Sequence, residues 1–233
     1  MRLRRICVQV KGGVAVRYPV LWSFRRCPYA MRVRLSLKLS AITVELREIL
    51  LRDKPDAFLQ ASSKGTVPVL VTDDAIIDES LDVMLWACQM SGDKYGWYHD
   101  YHNIAEIRRF IEQLDGEFKT NLDQYKYASR YQQDKASAEE LAAHSRQKGA
   151  EFIWGLNERL ANQRWLGGNQ AGLIDIASLP FIRQFKIADQ RWFDEQQWSE
   201  VARWLSHFLQ SDLFASVMNK YPAWKEGDEI EVF

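Results

Sequence analysis

Cys27 is the residue whose position in this chain best suits nucleophilic chemistry. It follows an apolar, strand-like stretch and directly precedes Pro28, a residue favoured at the first position of a helix. The first turn of a helix carries unpaired N–H groups and a partial positive charge, which stabilise a thiolate and lower the pKa of the thiol. Arg25 and Arg26 add positive charge beside it in the sequence. The segment predicts a reactive thiolate, with a buried structural cysteine in a strand-to-helix turn as the alternative.

The other cysteines offer this thiol no local partner. Position 30 is Ala30, so a Cys-x-x-Cys disulfide is impossible, and a redox cycle at Cys27 needs a thiol from elsewhere. The spacing of Cys7, Cys27 and Cys88 matches neither a disulfide framework nor a metal site. We therefore predict reduced thiols, no bound metal and a cytoplasmic protein.

The elements that must position Cys27 are short and change type often between residues 18 and 91, which is typical of a small α/β domain. The predicted order is β-α-β-α-β-β-α. Strands are predicted near residues 20–24, 42–47, 67–71 and 75–77, and helices near residues 32–39, 54–61 and 80–86.

The segment after Pro28 is ambiguous. Residues 32–39 alternate between polar and apolar side chains, which by itself is a strand pattern. On a helix the same apolar side chains fall on two sides, and Pro28 favours a helix start. We predict a helix that is covered on both sides, as it would be between a sheet and a second domain.

Long segments with helical apolar spacing begin beyond a predicted linker at residues 92–97. Helices are predicted near residues 102–131, 137–162, 172–188, 196–209 and 212–220. Seven of the nine tryptophans lie at or after position 97, which suits bulky fillers of a helical core. We predict three parts: an N-terminal extension at 1–17, an α/β domain at 18–91 and an all-helical domain at 98–233. Three interpretations of the extension are open: a β-hairpin around Gly12-Gly13, a mobile segment, or residues added by a start codon assigned too far upstream. The sequence is consistent with all three.

The charges of the chain cancel overall but not locally. There are 31 Lys and Arg against 31 Asp and Glu, yet residues 1–90 hold 14 against 9. A neutral chain gives no reason to expect a nucleic-acid partner. The basic half favours either a small anionic ligand or simply a solvated surface. No apolar run approaches the length of about 20 residues that a membrane span needs, so we expect no membrane association.

Three motifs, in order and in spacing, resemble those of the glutathione transferases. They are Cys27-Pro-Tyr after a strand, Thr66-Val-Pro-Val-Leu, and Asp78-Glu-Ser at a helix start. Because the first motif carries a cysteine, the chain is similar to the omega-like, glutaredoxin-related type of glutathione transferase. Within that type it is similar to bacterial members. The resemblance is close over residues 21–86. It is looser in the helical half, where Gly172 occupies the Ser or Thr position of the family's helix-capping signature. It implies a thioredoxin-like N-terminal domain, glutathione as co-substrate and a homodimer.

The resemblance also implies how the cysteinyl part of glutathione is held. The backbone of Val67 would pair with it, next to Pro68 in a cis peptide bond, and Tyr29 would form a wall of the site. Without the resemblance, the Val-Pro-Val run is equally an edge strand with a trans proline.

The two ends of glutathione have implied partners as well. Glu79 would bind the γ-glutamyl ammonium group, and the Ser80 hydroxyl with the helix N–H groups would bind the γ-glutamyl carboxylate. Lys54 would meet the glycyl carboxylate. Taken alone, the Glu-Ser pair is an ordinary helix cap and the lysine a solvated side chain.

These observations lead to a glutathione-dependent thiol transferase or reductase that acts through a mixed disulfide of Cys27 with glutathione. Deglutathionylation and dehydroascorbate-type reduction suit such a thiol. One alternative is conventional conjugation of glutathione to electrophiles, with a hydroxyl such as that of Tyr18 or Ser23 activating glutathione. The other is a non-catalytic interaction scaffold. The electrophilic or disulfide substrate is not specified by the sequence.

Overall fold

The computed structural model describes residues 18–92 and 104–233, together with the backbone of two short strands ahead of them. These strands, β1 (Cys7–Val10) and β2 (Gly13–Val16), pair antiparallel with Cys7 opposite Val16. The pairing agrees with the hairpin interpretation of the N-terminal extension. Gly92, at φ 64°, ends the last helix of the first domain. The rest of the predicted linker, residues 93–97, lies outside the described residues, so the domain boundary stays a prediction.

A four-stranded mixed sheet with three helices forms the first domain, in the predicted order. The elements are β3 (Val20–Ser23), α1 (Pro28–Leu39), β4 (Glu45–Glu48), α2 (Asp56–Ala61), β5 (Val69–Val71), β6 (Ile76–Ile77) and α3 (Ser80–Ser91). The strand order is β4-β3-β5-β6, in which β3 is parallel to β4 and antiparallel to β5. The sheet thus brings the end of β3, which leads into Cys27, close to the segment that precedes β5.

Helix α1 is shared by the two domains, because it packs against α3 on one side and against a helix of the second domain on the other. Met31, Val33, Leu35 and Leu37 are all fully buried, although no single helical face holds them. The period-two pattern therefore reflects a helix covered all round, as predicted, and not a strand. The two arginines between these residues are buried as well, which the sequence analysis did not anticipate.

The second domain is helical. Its elements are α4 (Ile104–Gln113), a π-helical turn (Leu114–Phe118), α5 (Lys119–Tyr127), a 3₁₀ turn (Ala128–Arg130), α6 (Lys135–Ala161), α7 (Leu173–Ala188), α8 (Gln190–Asp194), α9 (Ser199–Leu209) and α10 (Asp212–Val217). The single helix predicted near 102–131 is thus divided by the π turn, and α8 was missed. Across the described part of the chain, every helix is too short or too polar to cross a bilayer.

Asp175 organises the start of α7. Its fully buried carboxylate accepts hydrogen bonds from the backbone N–H groups of Gly172, Leu166 and Gly167 at 2.8–3.0 Å, and from the indole of Trp204 at 2.8 Å. Gly172 has no side chain with which to cap the helix, so only the carboxylate half of a capping box is present. The four hydrogen bonds that the Asp175 carboxylate accepts compensate for the side-chain cap that Gly172 cannot supply.

Residues 221–233 return from the second domain to the first. The backbones of Phe233 and Val44 exchange two hydrogen bonds, and the N–H of Leu46 donates to Glu231. The ring of Trp224 packs edge-on against Trp22 at 5.0 Å between ring centroids. This segment, which the sequence analysis did not predict, pairs with the outer side of β4 and covers that edge of the sheet.

Candidate active site

An open cavity of about 490 Å³ lies beside Cys27. All of the predicted site residues line it: Cys27, Tyr29, Lys54, Val67, Pro68, Glu79 and Ser80. The lining is completed by Leu51, Gly65, Thr66, Asp78 and Asp115. Asp115 comes from the π turn of the second domain, so both domains contribute to this cavity.

Cys27 occupies the N-cap position of α1, with extended backbone and with Pro28 as the first helical residue. Its Sγ lies 3.6 Å from the carbonyl oxygen of Val67, to which the thiol donates. The Val67–Pro68 peptide bond is cis, as predicted. The thiol therefore faces the cavity at the point where a helix start and the segment before β5 meet.

The predicted low pKa of Cys27 is wrong for the ligand-free protein. Burial raises the pKa of the thiol, because a thiolate there would lose most of its hydration. The N–H groups of the first turn of α1 and the charges of Lys119 and Arg32 act in the opposite direction without outweighing burial. Arg25 and Arg26 have other partners: Arg25 reaches the carbonyl of Met218, and Arg26 lies over an aromatic ring.

This environment predicts a specific pH profile. Alkylation of Cys27 in the ligand-free protein is expected to accelerate steadily above pH 8, because the thiolate fraction of a thiol with a raised pKa is small at neutrality. Lys119→Met should slow alkylation a few-fold at neutral pH, since it removes a charge that favours the thiolate. Iodoacetamide labelling, quantified on the Cys27 peptide by mass spectrometry, measures both effects. Lys148→Met, at an exposed ion pair with Glu151, serves as the control. A plateau of the rate below pH 7 would contradict the prediction.

Ser80, the first residue of α3, does not cap its own helix. Its hydroxyl oxygen accepts hydrogen bonds from Arg32, from Nε at 3.1 Å and from Nη2 at 2.7 Å. The same guanidinium forms two parallel bonds to Asp115, at 2.8 and 2.6 Å. Arg32 and Asp115 are not among the site residues predicted from the sequence. The available signal was an arginine in a helix predicted to be covered on both sides, since a buried guanidinium requires a buried acceptor.

The carboxylate of Glu79 lies at the exposed rim of the cavity. Lys64 forms ion pairs with Glu79 at 2.6 Å and with Asp78 at 3.1 Å. Because these ion pairs are exposed and weak, a ligand cation can reach Glu79 and replace Lys64 there. Lys54 also lines the cavity, and within residues 18–92 and 104–233 no carboxylate is within ion-pair distance of it. Among the described residues, the cavity lining therefore offers an ammonium group without an ion-pair partner at Lys54 and an exposed carboxylate at Glu79.

The hydroxyls named for the conjugating alternative do not line this cavity. Tyr18 precedes β3 and lines a separate cavity of about 180 Å³, to which Asp73 also contributes. Ser23 is fully buried and accepts a hydrogen bond from Arg34 at 2.9 Å. Tyr29 does line the cavity, but burial raises its pKa, so its phenol stays protonated. The structure thus removes Tyr18 and Ser23 as groups that could activate a ligand thiol.

Comparison with known proteins gives consistent matches. Residues 21–94 match the family model described as glutathione S-transferase, N-terminal domain. Glutathione S-transferase omega-1 of Rattus norvegicus is 25% identical over 215 residues, which are 86% of this chain and 85% of that protein. Glutathione S-transferase U22 of Arabidopsis thaliana is 25% identical over 173 residues, 73% of this chain and 75% of that protein. A solved glutathione transferase family member from Pseudomonas fluorescens pf-5, with two glutathione molecules bound, superposes at TM-score 0.73 and 17% identity, covering 87% of this chain and 92% of its own.

The matches cover both domains. The family model spans the α/β domain that carries Cys27 and most of the cavity lining, and the longer alignments extend into the helical domain. The omega-type and the U-type relatives match at the same identity, so the class within the family is not fixed. With its thioredoxin-like sheet followed by a helical domain, the chain has the fold of the glutathione S-transferases, and its first domain matches the N-terminal domain model of that family.

Proposed function

We propose that this protein is a glutathione-dependent thiol transferase of the cysteine, omega-like type. The observation that carries the proposal is the position of the Cys27 thiol, which faces the cavity at the N-terminus of α1 and lies 3.6 Å from the Val67 carbonyl. A sulfur nucleophile at this place can form a disulfide with a glutathione sulfur held along Val67. A hydroxyl at the same place could not form such a bond.

The reaction has two exchange steps. The Cys27 thiolate attacks the glutathionyl sulfur of a mixed disulfide, so that a Cys27–glutathione disulfide forms and the other thiol leaves as a thiolate that takes up a proton. The thiolate of a second glutathione then attacks the glutathionyl sulfur on Cys27. This step restores the Cys27 thiolate and releases oxidised glutathione. The net change is the reduction of one mixed disulfide by one glutathione.

The raised pKa of Cys27 is compatible with this chemistry. A thiol of higher pKa gives less thiolate, but each thiolate is more nucleophilic. The thiol donates to the Val67 carbonyl, which favours the protonated form. A ligand N–H that pairs with this carbonyl would displace the thiol from it. Binding along Val67 would thus remove one interaction that holds the proton on sulfur.

Mass spectrometry of the intact protein tests the proposal. After incubation with oxidised glutathione, one glutathionyl adduct is expected on Cys27, and reduced glutathione should remove it. The comparison is made in a Cys7→Ser background, in which Cys27→Ser leaves only the buried Cys88 and should carry no such adduct. Binding of glutathione without any adduct on Cys27 would refute the mechanism.

Conjugation remains a second candidate because burial raises the pKa of Cys27. A neutral thiol could donate a hydrogen bond to the thiolate of glutathione, which would then attack an electrophile itself. In that case the sulfur of Cys27 is never covalently modified, so the adduct experiment separates the two. Failure to bind glutathione in calorimetry would instead favour the non-catalytic scaffold.

We also propose a homodimer that works in a reducing compartment such as the cytoplasm, since the second step consumes reduced glutathione. Sedimentation equilibrium tests the dimer, and a monomer at micromolar concentration would contradict it.

A further inference from the structure

We propose that three arginines next to Cys27 recognise acidic residues of the second substrate, so that the preferred substrate is a glutathionylated peptide with carboxylates beside its cysteine. The three are Arg25, Arg26 and Arg183, which we call the arginine cluster. This inference rests on the proposed function, because it concerns the thiol that leaves in the first exchange step. Within the described residues, no carboxylate lies within ion-pair distance of any of the three side chains.

Helix α10 brings Arg25 and Arg183 together, although one belongs to the first domain and the other to the second. Nη1 of Arg25 lies 3.4 Å from the carbonyl oxygen of Met218, and the guanidinium of Arg183 lies over the ring of Phe214. Phe214 and Met218 are four positions apart at the end of the same helix, about one turn. Burial lowers the pKa of Arg183, and the charge of Arg25 adds to this effect. The two guanidinium groups are therefore neighbours that repel each other.

Arg26 is tied to the same place by a hydrogen bond between the domains. Nε2 of Gln184, the residue after Arg183, donates to the carbonyl oxygen of Arg26 at 2.9 Å. Lys126 donates to the other end of the same amide at 2.8 Å, so it fixes the orientation of the amide and adds a further positive charge. Because Arg26 directly precedes Cys27, the arginine cluster lies next to the reacting thiol.

The N–H donors of Arg26 and Arg183 are open to a ligand. Each guanidinium lies 5.3 Å from the centre of an aromatic ring, Arg26 over Phe24 and Arg183 over Phe214. Neither side chain donates a hydrogen bond to a described residue. Stacking on a ring orients a guanidinium and leaves its five N–H groups at the edge available. A carboxylate can accept two parallel hydrogen bonds from that edge.

The charges around the arginine cluster do not balance. Glu48 lies beside Arg25 and accepts a hydrogen bond from its backbone N–H group. However, this carboxylate already forms an ion pair with the fully buried Arg34. One negative charge therefore serves Arg25 and Arg34 together, and Arg26 and Arg183 add two positive charges. Such an excess attracts an anionic partner and repels a cationic one.

This anionic partner is not glutathione. None of the three arginines lines the cavity of about 490 Å³ proposed to hold glutathione. In the first exchange step the leaving thiol lies beside the glutathionyl sulfur, close to Cys27, and the peptide that carries this thiol extends out of the cavity. An extended peptide advances about 3.3–3.6 Å per residue, so acidic residues within a few positions of its cysteine can reach the arginine cluster.

Steady-state kinetics with matched glutathionylated peptides test the inference on the full chain. Three short peptides carry the same central cysteine, flanked by glutamates, by glutamines or by lysines. For the wild type at low ionic strength we expect kcat/KM for the glutamate peptide to exceed that for the glutamine peptide by about 5- to 10-fold, the effect of a few exposed charge pairs. The lysine peptide should react most slowly. Salt at about 0.5 M should move all three rates toward one value, because it screens exposed charges.

Substitutions locate the preference on the arginine cluster. Arg26→Gln and Arg183→Gln should each lower the ratio of the glutamate to the glutamine peptide, and Arg26→Glu should shift the preference toward the lysine peptide. Arg191→Gln is the matched control, since Arg191 is an exposed arginine of α8 that pairs with Glu195, and it should leave the ratio unchanged. If Arg183→Gln does not fold, the variants of the exposed Arg26 decide the question alone.

The outcomes separate this inference from the proposed function. Equal kcat/KM for the three peptides in the wild type would overturn the inference and leave the thiol transferase mechanism intact. A preference for the glutamate peptide that persists in the Arg26 and Arg183 variants would overturn it as well, because the preference would then come from another part of the protein. A wild type that reduces none of the three peptides would refute the proposed function, and the inference with it.

Discussion

Replacing Cys27 with serine is expected to lower glutathione-dependent reduction of a glutathionylated peptide by at least about a thousandfold in kcat/KM, since removal of a covalent nucleophile abolishes the main reaction path. The hydroxyl of serine cannot form the disulfide with glutathione, although it fits the same place between α1 and Val67. Steady-state kinetics with reduced glutathione and a coupled reductase measure the loss. Cys88→Ala is the control, because Cys88 lies in the core away from the cavity and should affect stability but not the exchange.

The same variant separates the two candidate reactions. If Cys27→Ser conjugates glutathione to a chlorinated nitrobenzene as fast as the wild type, a hydrogen-bond donor at position 27 is sufficient, and conjugation becomes the main activity. If it retains peptide deglutathionylation instead, the mixed disulfide mechanism is refuted. Loss of deglutathionylation with retained glutathione binding is the expected result.

Replacing Arg34 with methionine is expected to destabilise the fold by about 3–5 kcal/mol, the usual cost of breaking a buried ion pair. Arg34 is fully buried, forms an ion pair with Glu48, donates to the hydroxyl of Ser23 and reaches the carbonyl of Val217. Its removal leaves the Glu48 carboxylate buried without its main partner. Urea unfolding followed by circular dichroism gives the free energy of unfolding.

Two comparisons make this prediction specific. Arg34→Met combined with Glu48→Gln removes the stranded charge, and we expect it to recover part of the loss. Lys148→Met at the exposed pair with Glu151 should change the free energy of unfolding by less than about 1 kcal/mol. A loss below about 1 kcal/mol for Arg34→Met would show that the buried pair contributes little.

Local rules were sufficient to predict the part of the site that lies close together in the sequence or on successive elements. Pro28 places a helix start directly after Cys27, and Ser80 opens α3, so a strand-to-helix turn and a second helix N-terminus follow from the residues themselves. The element order of the first domain is confirmed for the same reason. The strand and helix signals there are short but separated by clear turns.

The interactions that tune the site could not be predicted, because they join residues far apart in the sequence. Asp115 lies 83 positions from Arg32, and only the packing of α1 between two domains brings them together. The pKa of Cys27 depends on how much water its neighbours exclude, a property of the assembled cavity. The position of Cys27 at a helix start, taken alone, predicts a lowered pKa, which is the wrong direction. The π turn that carries Asp115 interrupts an otherwise continuous helical pattern, so periodicity does not reveal it.

The segment that pairs with β4 links the order of synthesis to the order of folding. A chain leaves the ribosome from its N-terminus, and domains generally fold as they emerge. Here the sheet of the first domain lacks its outer partner until residues 231–233 have been made, after all ten α-helices of the described chain. Until then the N–H groups of Val44 and Leu46 lack their acceptors, and before Trp224 is made the ring of Trp22 lacks its edge-on neighbour from this segment. The nascent first domain is thus a sheet whose β4 edge stays open until residues 231–233 pair with it.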